Sequence, residues 1–332
     1  MSESATATGG NGEPLFEAFL NRHEDRAWRE VIQRLLPSIH EVDRKATEIW
    51  FHFFPLALLR ALHQAEDPGQ LAKKLSLYGK YLLEEQIDSS HEFLYGHRYW
   101  PQVKAAVSTL AASTNAPASL DLATQIRNVA AGVASLLKVD APLLTGITAV
   151  AFMTLQQTGA SAFKSSPGAT GAYSAKSPVE ILRERARDDK QGLLGFLRPD
   201  KIFTVSFNET DPSANFKLIN TQHVTTAAAN DKRDYNSREP RCIVLEGPIP
   251  VQCRTAACGT CWVGVLGGVE KLSEVAELER RRIKEFGYID TEEPRPLIRL
   301  ACQAQAYGNV SIVIPPWNGV FGKFIGEQKT ES

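Results

Sequence analysis

Four cysteines in the C-terminal third of the chain have a spacing that could bind a metal centre. Cys253, Cys258 and Cys261 form a C-x4-C-x2-C loop, and Cys302 follows much further along the chain. Thiolate sulfur is a preferred ligand of both iron and zinc. A tight loop can supply three thiolates to one side of a centre, whereas the fourth must come from a separate segment. The pattern therefore predicts a four-thiolate site closed by two segments.

The loop spacing favours a two-iron cluster over the other centres that thiolates build. Plant-type [2Fe–2S] proteins use this spacing with a distant fourth cysteine, and each iron takes two terminal thiolates. Structural zinc sites more often use two C-x2-C pairs, although four thiolates bind zinc equally well. A redox dithiol of Cys258 and Cys261 would leave Cys253 and Cys302 without a role. We predict a [2Fe–2S] cluster on the four cysteines, with zinc and a dithiol as alternatives.

Cys242 is the remaining cysteine of the chain. All five cysteines lie at or after this position, which argues against a disulfide framework spread over the protein. We interpret Cys242 as a small buried side chain on a strand running from Arg241 to Leu245. A redox-active thiol or a substitute ligand is the alternative.

Residues from about 200 to 325 resemble the [2Fe–2S] ferredoxins of the plant and adrenodoxin superfamily. The matching segments are Cys253–Cys261, Val263–Gly268, Lys271-Leu272-Ser273 with the acidic residues that follow, Arg299–Gln303 and Gly308–Pro315. The resemblance implies a β-grasp fold and a one-electron carrier, with Cys253, Cys258, Cys261 and Cys302 as the cluster ligands. It also implies redox partner proteins, either a reductase or a membrane-associated electron-transfer complex.

Two features depart from that family pattern. Thr255, Ala256 and Ala257 occupy loop positions where plant-type proteins often carry glycine and serine. The polar stretch before the loop is long, which predicts an insertion around residues 230–240.

A charged helix is expected from Glu274 to Phe286, and its mixture of acidic and basic side chains fits either a solvated surface or a basic docking face.

The N-terminal part of the chain shows helical rather than strand periodicity. Leu122, Ile126, Val129 and their successors share one helix face, for which Ser119 is a candidate N-cap. Further helices are predicted at residues 29–36, 49–53, 71–83 and 103–111. The apolar stretch 141–154 is shorter than the roughly 20 residues that a spanning helix needs, so we expect a buried helix.

Histidines are the candidates for chemistry in this helical part. They are His23, His40, His52, His63, His91 and His97. Two of them holding a haem or a metal would make the chain a small redox relay, but no pair has i,i+4 spacing and there is no C-x-x-C-H motif. A buried aromatic cluster with hydrogen-bonded histidines explains the same residues. No Walker A motif and no G-x-G-x-x-G after a strand is present in the sequence.

The sequence divides into a helical part and a ferredoxin-like part. We expect an α-helical bundle joined by a linker to an α+β, β-grasp ferredoxin-like domain. The predicted segments are a disordered tail at 1–13, the helical domain at 14–160, a linker and connecting helix at 161–199, the ferredoxin domain at 200–325 and a tail at 326–332. The connecting helix is expected from a capping box at Ser177 and Glu180, running to about Lys190.

The chain is 43% hydrophobic and 23% charged, with a formal net charge of −1. This composition favours a globular protein and gives no indication of a nucleic-acid partner. With no secretory signal and no spanning segment in the sequence, a cytoplasmic protein is expected. The main hypothesis is an electron carrier whose helical domain docks it to a redox partner. The alternatives are an oxidoreductase component with a second cofactor in the helical domain, or a structural or regulatory protein that binds zinc or a cluster.

Overall fold

The computed structural model describes residues 15–113, 121–168, 173–187, 189, 200–286, 292–322 and 324. Both predicted tails, most of the connecting segment after residue 187 and the candidate N-cap Ser119 lie outside these residues. The helices are α1 Leu15–Leu20, α2 Asp25–Leu35, α3 Glu41–Phe53, α4 Leu56–Gln64, α5 Pro68–Lys74, α6 Trp100–Ala111, α7 Leu122–Leu137, α8 Pro142–Ser165, α9 Pro178–Arg185, α10 Val224–Ala228 and α11 Glu277–Glu285.

Local sequence signals explain where several helices begin and end. Asp121, and not Ser119, is the N-cap of α7, and its carboxylate accepts the N–H of Ala123 and Thr124. The predicted capping box of α9 is confirmed, with Ser177 and Glu180 bonded reciprocally. The predicted helix over residues 71–83 is wrong beyond α5, because the chain turns at Ser76, where φ is +50°, and continues into a short strand.

Helix α8 is the centre of the helical part. Residues Leu143 to Thr158 are buried on every side, so this segment is a core helix, as its apolar sequence predicted. Its neighbours in the packing are α1, α2, α3, α6 and α7. Among the described residues, none of the helices has the length and apolar character needed to cross a membrane.

A mixed five-stranded sheet forms the core of the described C-terminal residues. The described strands are β1 Tyr78–Gly79, β2 Ile202–Ser206, β3 Asn215–Ile219, β4 Trp262–Gly267, β5 Ile298–Leu300, β6 Val310–Val313 and β7 Trp317–Asn318, of which β1 and β7 form a separate two-stranded sheet. The sheet order is β3-β2-β6-β4-β5, with β2 and β6 parallel and the other neighbours antiparallel. The predicted strands at 202–207, 262–266, 297–300 and 310–314 are confirmed within a residue or two.

The helical part and the sheet share one hydrophobic core. The Phe53 ring from α3 lies edge-on against Trp262 of β4, with the ring centroids 5.2 Å apart. Trp317 of β7 donates its indole N–H to the Phe53 carbonyl at 2.6 Å, and β7 pairs with β1 from the helical part. All six residues of β4 are buried, so the strand is covered on both faces. The predicted domain boundaries stay predictions.

Candidate metal centre

The cysteine loop is shaped by residues in the left-handed backbone region. Arg254 and Ala256 have φ of +57° and +61°, and Gly259 has φ of +72°. These turns aim three N–H groups at the Cys253 sulfur, from Thr255 at 3.4 Å and from Ala257 and Cys258 at 3.3 Å each. Left-handed conformations are costly for non-glycine residues, and hydrogen bonds to a thiolate offset that cost. The loop therefore favours an ionised sulfur at position 253.

Gly259 is a position where only glycine fits. A Cβ at this residue would lie 2.4 Å from the ring of Phe286, and the left-handed backbone adds strain for any other residue. The Phe286 ring is buried and packs directly over the loop. The close approach of ring and loop fixes Cys258 and Cys261 relative to helix α11, which ends just before Phe286.

The four sequence-predicted cysteines are brought together as two neighbouring pairs. Burial raises the pKa of Cys253, but the adjacent Cys258 thiol and the loop N–H groups outweigh it and lower this pKa to about 7. The neighbouring Cys261 thiol donates to Cys302 and lowers the pKa of Cys302 to about 6, while the pKa of Cys261 is raised correspondingly. One thiol of each pair, Cys253 or Cys302, therefore has a lowered pKa, which favours the thiolate form that ligates metals.

This pairing is the donor arrangement that a two-iron cluster requires, with two thiolates for each iron. Across the part of the chain that the structure describes, no three His, Cys, Asp or Glu side chains converge as ligands of one metal ion would. Polar side chains support the sulfur atoms. Thr260 Oγ1 lies 3.1 Å from Cys258 Sγ, and the Gln303 amide donates to Cys302 Sγ at 3.5 Å. The residues present fit a [2Fe–2S] cluster.

The strand pair β4–β5 determines where the second pair of cysteines lies. Cys261 immediately precedes β4, and Cys302 follows the end of β5 after one intervening residue. Trp262 and Leu300 are partners in the antiparallel register, and Ala301 N–H donates to the Cys261 carbonyl at 2.9 Å. Two segments that are distant in sequence are thus held at one end of the same strand pair.

A buried ion pair braces the segment that carries Cys302. Arg299 of β5 makes two hydrogen bonds to Glu279 of α11, at 2.8 and 2.9 Å, and both side chains are almost wholly buried. Glu279 also accepts the Leu300 N–H, and Arg299 donates to the Ser273 carbonyl. Sequence reasoning noted both residues but not their contact. The sequence offered one signal for this ion pair: an acidic residue on the predicted helix together with an arginine shortly before the fourth cysteine.

Cys242 is buried, as predicted, but it does not lie on a strand. Residues 241–245 form a turn, and Leu245 has φ of +61°. Ile243, Val244 and Leu245 are 41%, 63% and 54% exposed, so their apolar run is a surface turn and the predicted strand is wrong. The Cys242 thiol donates to the Pro248 carbonyl at 3.3 Å, and burial raises its pKa to about 11. A protonated, buried thiol of this kind is a packing residue.

Of the candidate histidines, His91 and His97 lie in contact. Their Nδ1 atoms are 2.8 Å apart, both rings are buried, and the His91 ring lies against Trp100. Burial lowers the pKa of His97 to about 4 and lowers that of His91 well below its usual value. His40 instead caps α3 by accepting the Val42 N–H. A neutral, mutually bonded pair in an aromatic cluster accounts for His91 and His97.

Comparison with known protein families identifies the loop region. The family described as the 2Fe-2S iron-sulfur cluster binding domain matches residues 244–307, a minor part of the chain. The match contains Cys253, Cys258, Cys261 and Cys302. It confirms the predicted resemblance to [2Fe–2S] ferredoxins, and this domain binds a [2Fe–2S] cluster. Comparisons with curated proteins and with solved structures found no match.

The Glu279–Arg299 pair yields a stability prediction. Glu279→Gln leaves the Arg299 guanidinium buried without a counter-charge, which typically costs about 3–5 kcal/mol. We expect the free energy of unfolding, measured by denaturant titration of the cluster-containing protein, to fall by about that amount. Glu277→Gln on the exposed face of the same helix is the matched control and should change stability by less than about 0.5 kcal/mol. Equal effects of the two substitutions would show that the buried pair is not the brace described.

The buried histidine pair yields a pH prediction. In the folded protein both pKa values lie below the unfolded value of about 6.5, so the unfolded state binds more protons as the pH falls through this range. The stability contribution of the neutral rings is therefore complete above about pH 6.5 and is lost progressively toward pH 4. The His97→Asn variant should lose less stability than the native protein between pH 7 and pH 5, by up to about 1.4 kcal/mol per pH unit.

The exposed residue His63 provides the control for this titration. His63→Asn should follow the native protein over the same pH range, as measured by urea unfolding. A His97→Asn curve parallel to the native one would contradict burial of a neutral pair.

Proposed function

We propose that this protein is a one-electron carrier whose [2Fe–2S] cluster is ligated by Cys253, Cys258, Cys261 and Cys302. The observation that carries the proposal is the grouping of these thiols into two pairs inside a region that matches a [2Fe–2S] binding family; in each pair one thiol, Cys253 or Cys302, has a lowered pKa. When bound, the cluster supplies reversible uptake of a single electron. The residues around it position the thiolates and control access to them.

The two thiol pairs differ in exposure. Cys261 and Cys302 are buried, with exposed fractions of 1% and 4%, whereas Cys253 and Cys258 are half-buried in a loop whose Arg254 and Thr255 are exposed. Water is therefore excluded from one pair, while the other lies close to the surface. A partner protein can approach the Cys253 side closely, and electron exchange requires such an approach.

The helical part is proposed to dock the carrier to its redox partner, a reductase or a membrane-associated electron-transfer complex. Direct packing between the helices and the sheet supports this proposal. Phe53 and Ile49 of α3 pack directly on β4, the strand that follows Cys261. A partner that binds the helices would thus hold the cysteine loop at a fixed position. A cytoplasmic location stays a prediction.

Serine substitutions test the ligand set. We expect Cys258→Ser to abolish or strongly alter the iron–sulfur absorption bands and the EPR signal of the dithionite-reduced protein, because serine replaces a soft thiolate ligand. Cys302→Ser should do the same. Cys242→Ser is the matched control and should leave the spectra and the iron content unchanged, since that thiol donates to a carbonyl. Loss of the cluster in Cys242→Ser but not in Cys302→Ser would overturn the assignment.

Metal analysis of the anaerobically purified protein accompanies these spectra. About two irons per chain, with an EPR signal that arises only on reduction, is the expected result for a [2Fe–2S] carrier. A colourless protein that contains zinc would refute electron transfer and leave the structural or regulatory alternative.

The docking role has a separate test. Affinity-tagged protein should be cross-linked to its redox partner in its native cells, and the cross-linked lysines should be mapped by mass spectrometry. We expect cross-links from the partner to lysines of the helical part, such as Lys45, Lys73 and Lys138, in addition to Lys232, which donates to the Leu245 carbonyl. Cross-links confined to residues after 200 would contradict docking through the helices while leaving the carrier function intact.

A further inference from the structure

A cleft of about 250 Å³ lies between the helical part and the sheet. Its walls come from the 3₁₀ helix Tyr95–Tyr99 and the residues before it, from Tyr173 and Ser174, from α9, from the turn after β2, and from the end of β6. Clefts where two parts of a protein meet are common sites for small molecules. The proposed electron-carrier function assigns no role to this one.

Arg98 is the charged group that distinguishes the cleft. Its guanidinium lies over the Tyr95 ring, 3.5 Å from the ring centroid, and 5.8 Å from that of Tyr173. It donates to the Tyr95 carbonyl, the Tyr95 hydroxyl and the Ser174 carbonyl at 2.9–3.1 Å. A guanidinium has five N–H groups, so two remain available. Within the described residues, no carboxylate forms an ion pair with Arg98.

The other arginine of the cleft is different in this respect. Arg185 is almost fully buried and makes a two-point ion pair with Glu209, at 2.8 and 2.7 Å. The Ser311 hydroxyl donates a hydrogen bond to the same Glu209 carboxylate. The Arg185–Glu209 pair is therefore a satisfied structural element, and Arg98 carries the positive charge that a ligand could use.

The apolar wall of the cleft connects it to the cysteine loop. Phe93 lines the cleft, and its ring centroid lies 5.7 Å from that of Phe53, which is buried behind it. Phe53 in turn lies against Trp262, the residue bonded covalently to Cys261. Two ring contacts and one peptide bond therefore separate the cleft from a candidate cluster ligand. A ligand placed against the half-buried Phe93 ring would therefore lie at the start of a chain of ring contacts that leads to Cys261.

We propose that this cleft binds a quinone, with the planar ring against the aromatic wall and a carbonyl oxygen accepting a hydrogen bond from Arg98. A quinone matches three observations together: the aromatic wall of the cleft, the cation Arg98 without a carboxylate partner among the described residues, and the ring contacts that lead toward Cys261. Its ring has the shape that the walls of Phe93 and Tyr173 accept, and its oxygen is an acceptor that becomes more negative on reduction. It is also an acceptor that takes electrons one at a time. The inference rests on the proposed function, because it names the small-molecule partner of the same cluster.

Calorimetric titration of the oxidised, cluster-containing protein with menadione, a naphthoquinone, tests binding without any redox step. We expect saturable binding of one molecule per chain. Arg98→Met keeps an apolar stem over the Tyr95 ring but removes the donor and the charge, and affinity should fall by about tenfold or more. Tyr173→Ala should also weaken binding, because it removes a half-exposed wall of the cleft. Naphthalene, which has the ring but no carbonyl, should bind equally to the native protein and to Arg98→Met.

Arg127→Met is the matched control for the arginine substitution. Arg127 lies on α7, where it donates to Thr124, and is absent from the cleft lining. Its substitution should leave menadione affinity unchanged, and circular dichroism should show native helix content in every variant compared.

The outcomes separate this inference from the function on which it rests. No saturable menadione binding, or binding that survives both Arg98→Met and Tyr173→Ala, refutes the cleft as a quinone site. If the EPR signal of the reduced cluster is intact in the same samples, the electron-carrier function stands despite that result. Loss of the EPR signal in the native protein would instead refute the proposed function, whatever the calorimetry shows.

Discussion

Burial of β4 on both faces is the constraint on which the rest of the structure depends. This strand begins directly after Cys261, so the position of that thiol follows from how the strand is packed. Gly264 has no room for a side chain because Ile49 of α3 approaches to 2.6 Å of where its Cβ would be. An open face here would expose Trp262 and the apolar residues beside it to water, at a cost of about 25 cal/mol per Å². The helices remove that cost and position Cys261 in doing so.

In the loop between Cys253 and Cys261, by contrast, the backbone adopts strained conformations. Arg254 and Ala256 adopt left-handed conformations without being glycine, and each such residue costs roughly 1–2 kcal/mol. The strain is offset by three N–H groups that converge on one sulfur. Backbone strain of this kind persists where the surrounding structure over-determines it and is typical of functional sites. Residues other than glycine at these loop positions therefore raise the conformational free energy of the loop but leave its backbone shape unchanged.

The sequence allowed most of the site to be predicted and less of the architecture. Cysteine spacing identified the four thiols, because ligand geometry limits which spacings can close around a cluster. Strand periodicity located β2, β4, β5 and β6. The apolar run at Ile243–Leu245 was misread, since three apolar residues in a row satisfy a strand pattern equally well whether the backbone is extended or turned. What decided the outcome is the positive φ of Leu245, which no periodicity encodes.

Contacts between residues far apart in sequence were the least predictable features. Glu279 and Arg299 were each noted, but only the fold brings them within hydrogen-bond distance. The composition predicts a helical domain joined by a linker to the ferredoxin domain, and it gives no sign that Phe53 contacts Trp262 and Trp317 across a shared core. Aromatic residues within a helical segment indicate that one face of the helix will be buried. They do not indicate which part of the protein will cover that face. In this chain the partner surface was a sheet that begins about 150 residues later.

The two thiol pairs have unequal environments. Cys253 and Cys258 lie near the surface, where a protein partner can reach them, whereas Cys261 leads through Trp262 into the core and on to Phe53. Helix α3 covers β4, and the junction of the helices with the sheet adds a cleft with a cation, Arg98, at its wall. In the function we propose, the helical part thereby gives the protein a second exchange surface whose chemistry differs from that of the cysteine loop.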